Sequence, residues 1–232
     1  MNAHSFTFGE HRLTALPSGA IWWADRQLLC VSDLHLGKSD RIARRSGVML
    51  PPYETQETLA KLSHDIAVTG PKTVLCLGDS FDDLMAADSL SDADDTTLTS
   101  LQAGRQWLWL EGNHDPGPLA LGGTHLSIHQ DGGLTFRHIA SDTQLEISGH
   151  YHPKYAIPGA GNARPCFLTD AKRLILPAYG AYTGGLRATD PVLTRLFSGS
   201  VIAILTGHRA ICVPVKPSAH PARPNRLRGS RP

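Results

Sequence analysis

The stretch Leu28-Leu29-Cys30-Val31-Ser32-Asp33-Leu34-His35-Leu36-Gly37-Lys38 carries the first sign of chemistry in the chain. Leu28 to Ser32 is apolar enough for a buried strand, and Asp33 and His35 stand where that strand should run out into a loop. Residues two apart on an extended chain project to the same side, so the carboxylate and the imidazole are expected to converge on one point. An oxygen and a nitrogen ligand presented together suit a catalytic divalent metal. The competing reading is a capped turn with a solvated histidine, and this pair alone does not separate the two.

Upstream, Phe6 to Leu16 and Ala20 to Trp23 read as two strands turned by Pro17-Ser18-Gly19, with Asp25-Arg26 turning the chain again into the strand that ends at Asp33. Downstream, Lys38-Ser39-Asp40-Arg41-Ile42-Ala43-Arg44-Arg45 places Arg41, Arg44 and Arg45 on one face if it is helical. Such a face is ordinarily just solvated. Because the segment leaves directly from Asp33 and His35, Lys38 and the three arginines are expected at the mouth of the site, where they suit a polyanionic substrate. Pro51-Pro52 ends the segment, Tyr53 to Val68 is an amphipathic helix with Leu59, Leu62 and Ile66 on one side, and Gly70-Pro71 stops it.

The pattern then returns. Thr73 to Leu77 is a second buried strand, ending in Gly78-Asp79-Ser80-Phe81-Asp82-Asp83, and Trp107 to Leu110 is a third, ending in Glu111-Gly112-Asn113-His114-Asp115-Pro116. Between them Thr96 to Gln102 reads as a short helix, and Asp82, Asp83, Asp88, Asp92, Asp94 and Asp95 read mostly as caps and solvated loop charges. The alternation of strand and helix implies parallel strands whose motifs emerge at one carboxyl edge. Beyond Gly122-Gly123 hairpins are expected: His125 to His129 with Leu134 to His138 around Asp131-Gly132-Gly133, and Gln144 to Ser148 running into Gly149-His150-Tyr151-His152-Pro153. His150 and His152 repeat the spacing of Asp33 and His35. Cys166 to Leu168 pairs with Arg173 to Leu176, and Val201 to Leu205 with Ala210 to Val215. The loop Pro177 to Gly185 between these hairpins is either substrate-facing or a structural turn.

Composition bounds the class. The 232 residues, 41% of them hydrophobic and with a formal net charge of +1, suffice for one α/β domain over residues 1–216 and exclude a global field for nucleic acid. Residues 217–232 are Pro- and Arg-rich without apolar periodicity and are expected to form a disordered basic tail. The four cysteines form no CxxC pair, which fits a reducing cytoplasm without disulfides. No apolar run is long enough for a membrane span, and His4, Glu10 and His11 stand where a signal peptide needs apolar residues. A cytoplasmic protein with no membrane association is expected.

Assembled, Asp33, His35, Asp79, Asn113, His150 and His152 offer two carboxylates, three imidazoles and an amide carbonyl, a suitable number for two ions. The mix favours manganese, iron or zinc over calcium. A carboxylate such as Asp79 can bridge two ions roughly 3.5–4 Å apart, a spacing that acidifies a bridging water and clamps an in-line displacement at phosphorus. The four motifs, Asp33-x-His35, Gly78-Asp79, Gly112-Asn113-His114-Asp115 and Gly149-His150-x-His152, together resemble those of the calcineurin-like metallophosphoesterase superfamily. The resemblance spans about Leu28 to Pro153. It implies two packed mixed β-sheets flanked by helices, an αββα sandwich. It further implies one metal on Asp33, His35, Asp79 and His152 and a second on Asp79, Asn113, His150 and one more histidine. His138 is chosen for that place over His125 and His129. His114 corresponds to the acid that protonates the leaving oxygen, with Asp115 as its orienting partner.

The Ser-Asp-Leu-His-Leu-Gly-Lys form of the first motif, Gly-His-Tyr-His-Pro, and Pro-Ala-Tyr-Gly-Ala-Tyr-Thr-Gly-Gly resemble a narrower subgroup, the ligase-associated DNA damage response endonucleases (PdeM). That resemblance implies a manganese-dependent phosphodiesterase on single-stranded or flap DNA. DNA ligase, a helicase and a nuclease-like protein are the repair partners it implies, and a homodimer is the candidate assembly. Two other readings are a phosphohydrolase of nucleotides or sugar nucleotides, served equally by the same centre, and a binding module that has lost the chemistry.

Overall fold

The structure, a computed structural model, describes residues 2–39, 41–42, 47, 53–83, 85–86, 90–115 and 121–216. Arg44, Arg45 and the expected basic tail lie outside the described residues. Three parallel strands form the heart of the first sheet: β4 (Leu28–Val31), β5 (Thr73–Cys76) and β6 (Gln106–Leu110). Their near-continuous apolar sequences follow from burial on both faces. Leu29, Val31, Val74, Cys76, Trp107 and Trp109 face the helices, whereas Leu28, Cys30, Leu75 and Leu108 face the second sheet.

The helical layer is α1 (Glu54–Thr69) and α2 (Asp92–Gln102). As its spacing requires, α1 buries Leu59, Leu62 and Ile66 against that sheet, and it ends at Gly70, whose φ of 60° takes the left-handed cap. Helix α2 starts earlier than Thr96 because Ser91 caps it, accepting from the Asp94 amide at 3.2 Å. Asp92, Asp94 and Asp95 fall in its first turn, where the helix dipole favours them.

The lead-in differs from expectation. Phe6 to Leu16 is not one strand but two, β1 (His4–Phe8) and β2 (His11–Ala15), because Gly9 at φ 59° turns the chain. With β3 (Ile21–Trp23) these extend the first sheet antiparallel on one side, and β7 (Thr124–Leu126) extends it parallel on the other. The expected strand His125 to His129 is likewise cut. After β7 the chain crosses at Ser127-Ile128 to the second sheet, where β8 (His129–Asp131) pairs with β9 (Leu134–Phe136).

In the second sheet β10 (Glu146–Ser148) lies parallel to both β9 and β13 (Arg173–Ile175). Strand β12 (Arg164–Thr169) pairs antiparallel with β13 and with β14 (Ile202–Leu205), and β15 (Ile211–Pro214) closes the edge. A short β11 (Lys154–Tyr155) pairs with β12 off this path. Phe136, Ile147, Phe167, Leu174, Leu176 and Ile204 meet the first sheet's inner face to form the central core. The outer cover of the second sheet is thin, consisting of a one-turn helix α3 (Pro191–Thr194) and neighbouring loops over Cys166, Leu168 and Ile175. The architecture is thus the expected sandwich of two mixed sheets, with helices concentrated on one side.

The loop from Pro177 to Gly185 is structural in its first half. Tyr179 is fully buried, donates its hydroxyl to Asp65 Oδ2 at 2.9 Å and its amide to the Ser32 carbonyl at 2.8 Å. Gly180 donates to the Asp33 carbonyl at 3.0 Å, so the loop buttresses the first motif from behind.

Candidate functional site

Asp33 and His35 lie past the end of β4, and their convergence is not the work of an extended chain. Both have left-handed backbones, at φ 54° and 47°, and so do Asp79 at 46°, His150 at 70° and His152 at 46°. At these positions the first, second and fourth motifs leave the pleat of their strands. Non-glycine residues rarely adopt this conformation, and each instance costs of order 1–3 kcal/mol unless the surroundings hold it. Here neighbouring motifs do the holding: the Asp33 amide donates to Gly78 O at 3.2 Å, and the His35 amide to Asp79 O at 2.9 Å. The His150 amide donates to Asp33 Oδ2 at 3.0 Å. Two glycines permit the close approach. A Cβ on Gly112 would collide with the Asp79 amide and carboxylate, and one on Gly149 with Ser32 Oγ.

Three groups of donors result among the described residues, the third being His35, Asp82 and His114, which shares His35 with the first. In the first, Asp33, His35 and His152 converge, with His152 Nε2 3.1 Å from Asp33 Oδ1 and 3.3 Å from His35 Nε2. In the second, Asp79, His138 and His150 converge: His138 Nε2 lies 3.2 Å from Asp79 Oδ2, 3.2 Å from His150 Nδ1 and 2.9 Å from Asn113 Oδ1. Of the three histidines weighed for the second group, His138 is the one that lies beside Asp79, Asn113 and His150. His125 instead stacks on Trp109 and His129 packs against Phe136.

The protonation logic of these groups favours a cation. His138 Nδ1 faces the Leu77 carbonyl at 2.8 Å, an acceptor only, so Nδ1 carries the proton and a neutral ring presents a bare Nε2. Nε2 then points at a carboxylate and an amide oxygen, an arrangement that either a proton or a metal cation at Nε2 makes favourable. His35 repeats it, with Nδ1 2.8 Å from Asp82 Oδ1 and Nε2 turned to His152. The electrostatics agree. Burial acts to lower the His138 pKa, but the Asp79 hydrogen bond and the charges of Asp33 and Asp79 outweigh it and raise it. Burial acts to raise Asp79, yet the His138 contact holds its carboxyl at about 2. Carboxylate, imidazole and amide donors so arranged fit divalent metal ions of the borderline class.

His114 is partly buried, and its ring meets His35 edge-on with centroids 5.3 Å apart. Its Nδ1 lies 2.9 Å from the Asp82 carbonyl, while its amide donates to Asp79 Oδ1 at 2.8 Å. Asp115 does not orient this ring, contrary to expectation. Its carboxylate is buried beneath the loop, accepting the amides of Ser80 at 2.8 Å, Asp79 at 2.9 Å, Gly112 at 3.1 Å and Phe81 at 3.2 Å. Burial pushes its pKa up to about 6 even against those donors.

Asp82 is the residue sequence reasoning passed over. It is 1% exposed, holds His35 by one oxygen and pairs with Arg41 Nε by the other. The available signal was its place three residues after Asp79 in the same strand-end loop; it was submerged in the acidic run that follows. Arg41 is therefore tied behind His35, not free at the mouth, whereas Lys38 is partly exposed nearby. Arg41→Ala should then lower turnover even of a small phosphodiester by about 10-fold, the lower range for partners that orient a metal ligand. Lys38→Ala should spare small substrates. Equal, negligible effects of both changes on small-substrate turnover would refute the indirect role of Arg41.

The model of the calcineurin-like phosphoesterase family matches residues 26–210. The chain belongs to that family. A calcineurin-like phosphoesterase with three candidate metal-binding groups among the described residues is a metal-dependent phosphoesterase. Among solved structures, the nuclease MPE of Pseudomonas putida is similar, with a TM-score of 0.72 and 23% identity over 92% of this chain and 100% of that one. At that identity the likeness is one of fold. No curated protein sequence matches this phosphoesterase. None of its described helices is long and apolar enough to cross a membrane.

Proposed function

We propose that this phosphoesterase is a two-metal phosphodiesterase that cleaves DNA. Asp33, His35, Asp79 and His152 would hold one ion and Asp79, Asn113, His138 and His150 the other; the donors suit manganese, iron or zinc, and the subgroup's motifs favour manganese among them. The observation that carries the reading is the convergence of two carboxylate–imidazole groups, each with an imidazole Nε2 turned inward. When bound, such a pair supplies Lewis acidity to phosphoryl oxygens and to water. The protein's own contribution to leaving-group departure is His114. Its Nδ1 contact with the Asp82 carbonyl holds the ring in place and leaves Nε2 as the nitrogen free to pass a proton to the departing oxygen.

DNA is favoured over a nucleotide by Lys38, Arg44 and Arg45, cations that follow the first motif in sequence, and by the fold shared with a nuclease. A place in repair beside a ligase, a helicase and a nuclease-like protein follows only from the subgroup's motifs. Incubation with manganese and labelled single-stranded, flap and duplex DNAs, with the products mapped, tests the reading. Cleavage of single-stranded or flap DNA is expected. Turnover of nucleotides without any DNA cleavage would replace the reading by the small-molecule one.

His114→Ala should keep its metals but lose turnover in proportion to leaving-group basicity, with roughly 10²–10⁴-fold loss for alkoxide leaving groups and much less for nitrophenolates. A leaving-group plot of equal slope for both proteins would remove His114 from this role.

A further inference from the structure

We propose that the cleft beside Asn113 and His138 is a pocket for one unstacked nucleobase flanking the cleaved phosphate, an inference that rests on the DNA reading above and deepens it. The cleft has a volume of about 410 Å³ and is lined by Glu111, Asn113, Ile128, Arg137, His138 and Ile139. Two of these residues belong to the second donor group, so whatever fills the cleft is continuous with the reacting centre. Its volume lies within the range of small-molecule sites, enough for a single nucleoside and far too small for a duplex.

The walls say what kind of group it takes. Ile128 and Ile139 are 43% and 45% exposed, large aliphatic side chains left open to solvent at the rim of a polar centre. They arrive from different connections, Ile128 from the crossing between β7 and β8 and Ile139 from the segment after β9. Away from Asn113 and His138, the charges of the lining do not favour a second phosphate. Among the described lining residues Arg137 brings the one guanidinium, and its Nε stands 3.4 Å from Oε2 of the fully buried Glu146. Glu111 places an exposed side chain of opposite sign at the edge. A flat, neutral group with apolar faces and hydrogen-bonding edges satisfies this lining, and a nucleobase is that group. A base within a duplex has its faces stacked on its neighbours, so aliphatic contact with those faces requires an unpaired nucleotide. The pocket thereby selects single-stranded or frayed DNA without reading its sequence closely.

The test uses the thymidine dinucleotide TpT and its two analogues in which an abasic tetrahydrofuran replaces one nucleoside or the other, assayed with manganese. In the wild type, kcat/KM should fall about tenfold for one analogue and little for the other, the range of losing one base contact. In Ile128→Ser/Ile139→Ser that penalty should shrink to about one. Both side chains are exposed, and the wild-type comparison needs no variant, so misfolding cannot mimic the result. Hydrolysis of all three substrates within about twofold by the wild type, or a full penalty retained in the double variant, would overturn the pocket while leaving DNA cleavage intact. If the wild type cleaves neither TpT nor single-stranded DNA but turns over phosphate monoesters, the DNA reading itself has failed and the pocket with it.

Discussion

Asp79→Asn is expected to cut turnover by more than about a hundredfold and to strip bound metal while the fold survives. A hundredfold is the upper end for losing a partner outside a coordination sphere, and Asp79 is proposed to touch both ions. Its carboxylate sits between the two halves of the site, one oxygen accepting the His114 amide and the other facing His138 Nε2. Substitution by an amide removes a full negative charge that stays ionised down to about pH 2 and places a possible donor against His138. Asparagine tolerates the left-handed backbone at this position, so the loss reports on charge and not on strain. Metal content per chain, turnover of a phosphodiester and far-ultraviolet circular dichroism together check it. Near-normal turnover with full metal content would exclude Asp79 from the centre.

Asp115→Asn should produce a different failure, one of stability. The wild-type carboxylate takes two amide protons on each oxygen, so the amide nitrogen of asparagine must face two N–H groups. Leaving buried donors unpaired costs about 1–3 kcal/mol each, which for a total near 3 kcal/mol lowers Tm by roughly 6–12 °C in a chain of this size. The loop carrying Asp79 should loosen and metal should bind less tightly. The leaving-group dependence of the remaining activity should match the wild type, because Asp115 makes no hydrogen bond to the His114 ring. A steeper leaving-group dependence with unchanged Tm would restore Asp115 to an orienting role.

The parts legible in sequence were those written in side-chain burial. Leu28 to Val31, Thr73 to Cys76 and Gln106 to Leu110 carry apolar side chains on both faces, and that alone announces strands covered on both sides. The residues following each strand could then be placed at one edge, and His138 could be chosen from its own strand end. Backbone handedness was not legible. The spacing of Asp33 and His35 suggested a pleat, whereas both residues have left-handed backbones, and the period of burial carries no record of φ. Contacts between distant segments were equally silent. Asp82 meets His35 across 47 residues, and Asp115 meets the amides of 79 to 81 across 34 to 36. The split of His125 to His129 between two sheets escaped notice because a strand of five and two strands of three with a kink share one apolar pattern.

The left-handed conformations at Asp33, His35, Asp79, His150 and His152 bear on how relatives of this chain are to be judged. Apart from glycine, the side chains that tolerate this geometry best are aspartate, asparagine and histidine, the same short set that metals recruit. Two unrelated filters therefore retain the same letters. A descendant that gave up catalysis would still be steered by its backbone toward Asp, Asn, His or Gly at these five positions, since valine or isoleucine there would strain the turns. An intact motif string thus vouches for the architecture more firmly than for turnover. Positions free of that backbone demand, such as the buried Asp82 and the half-buried His114, are the better witnesses to a working enzyme.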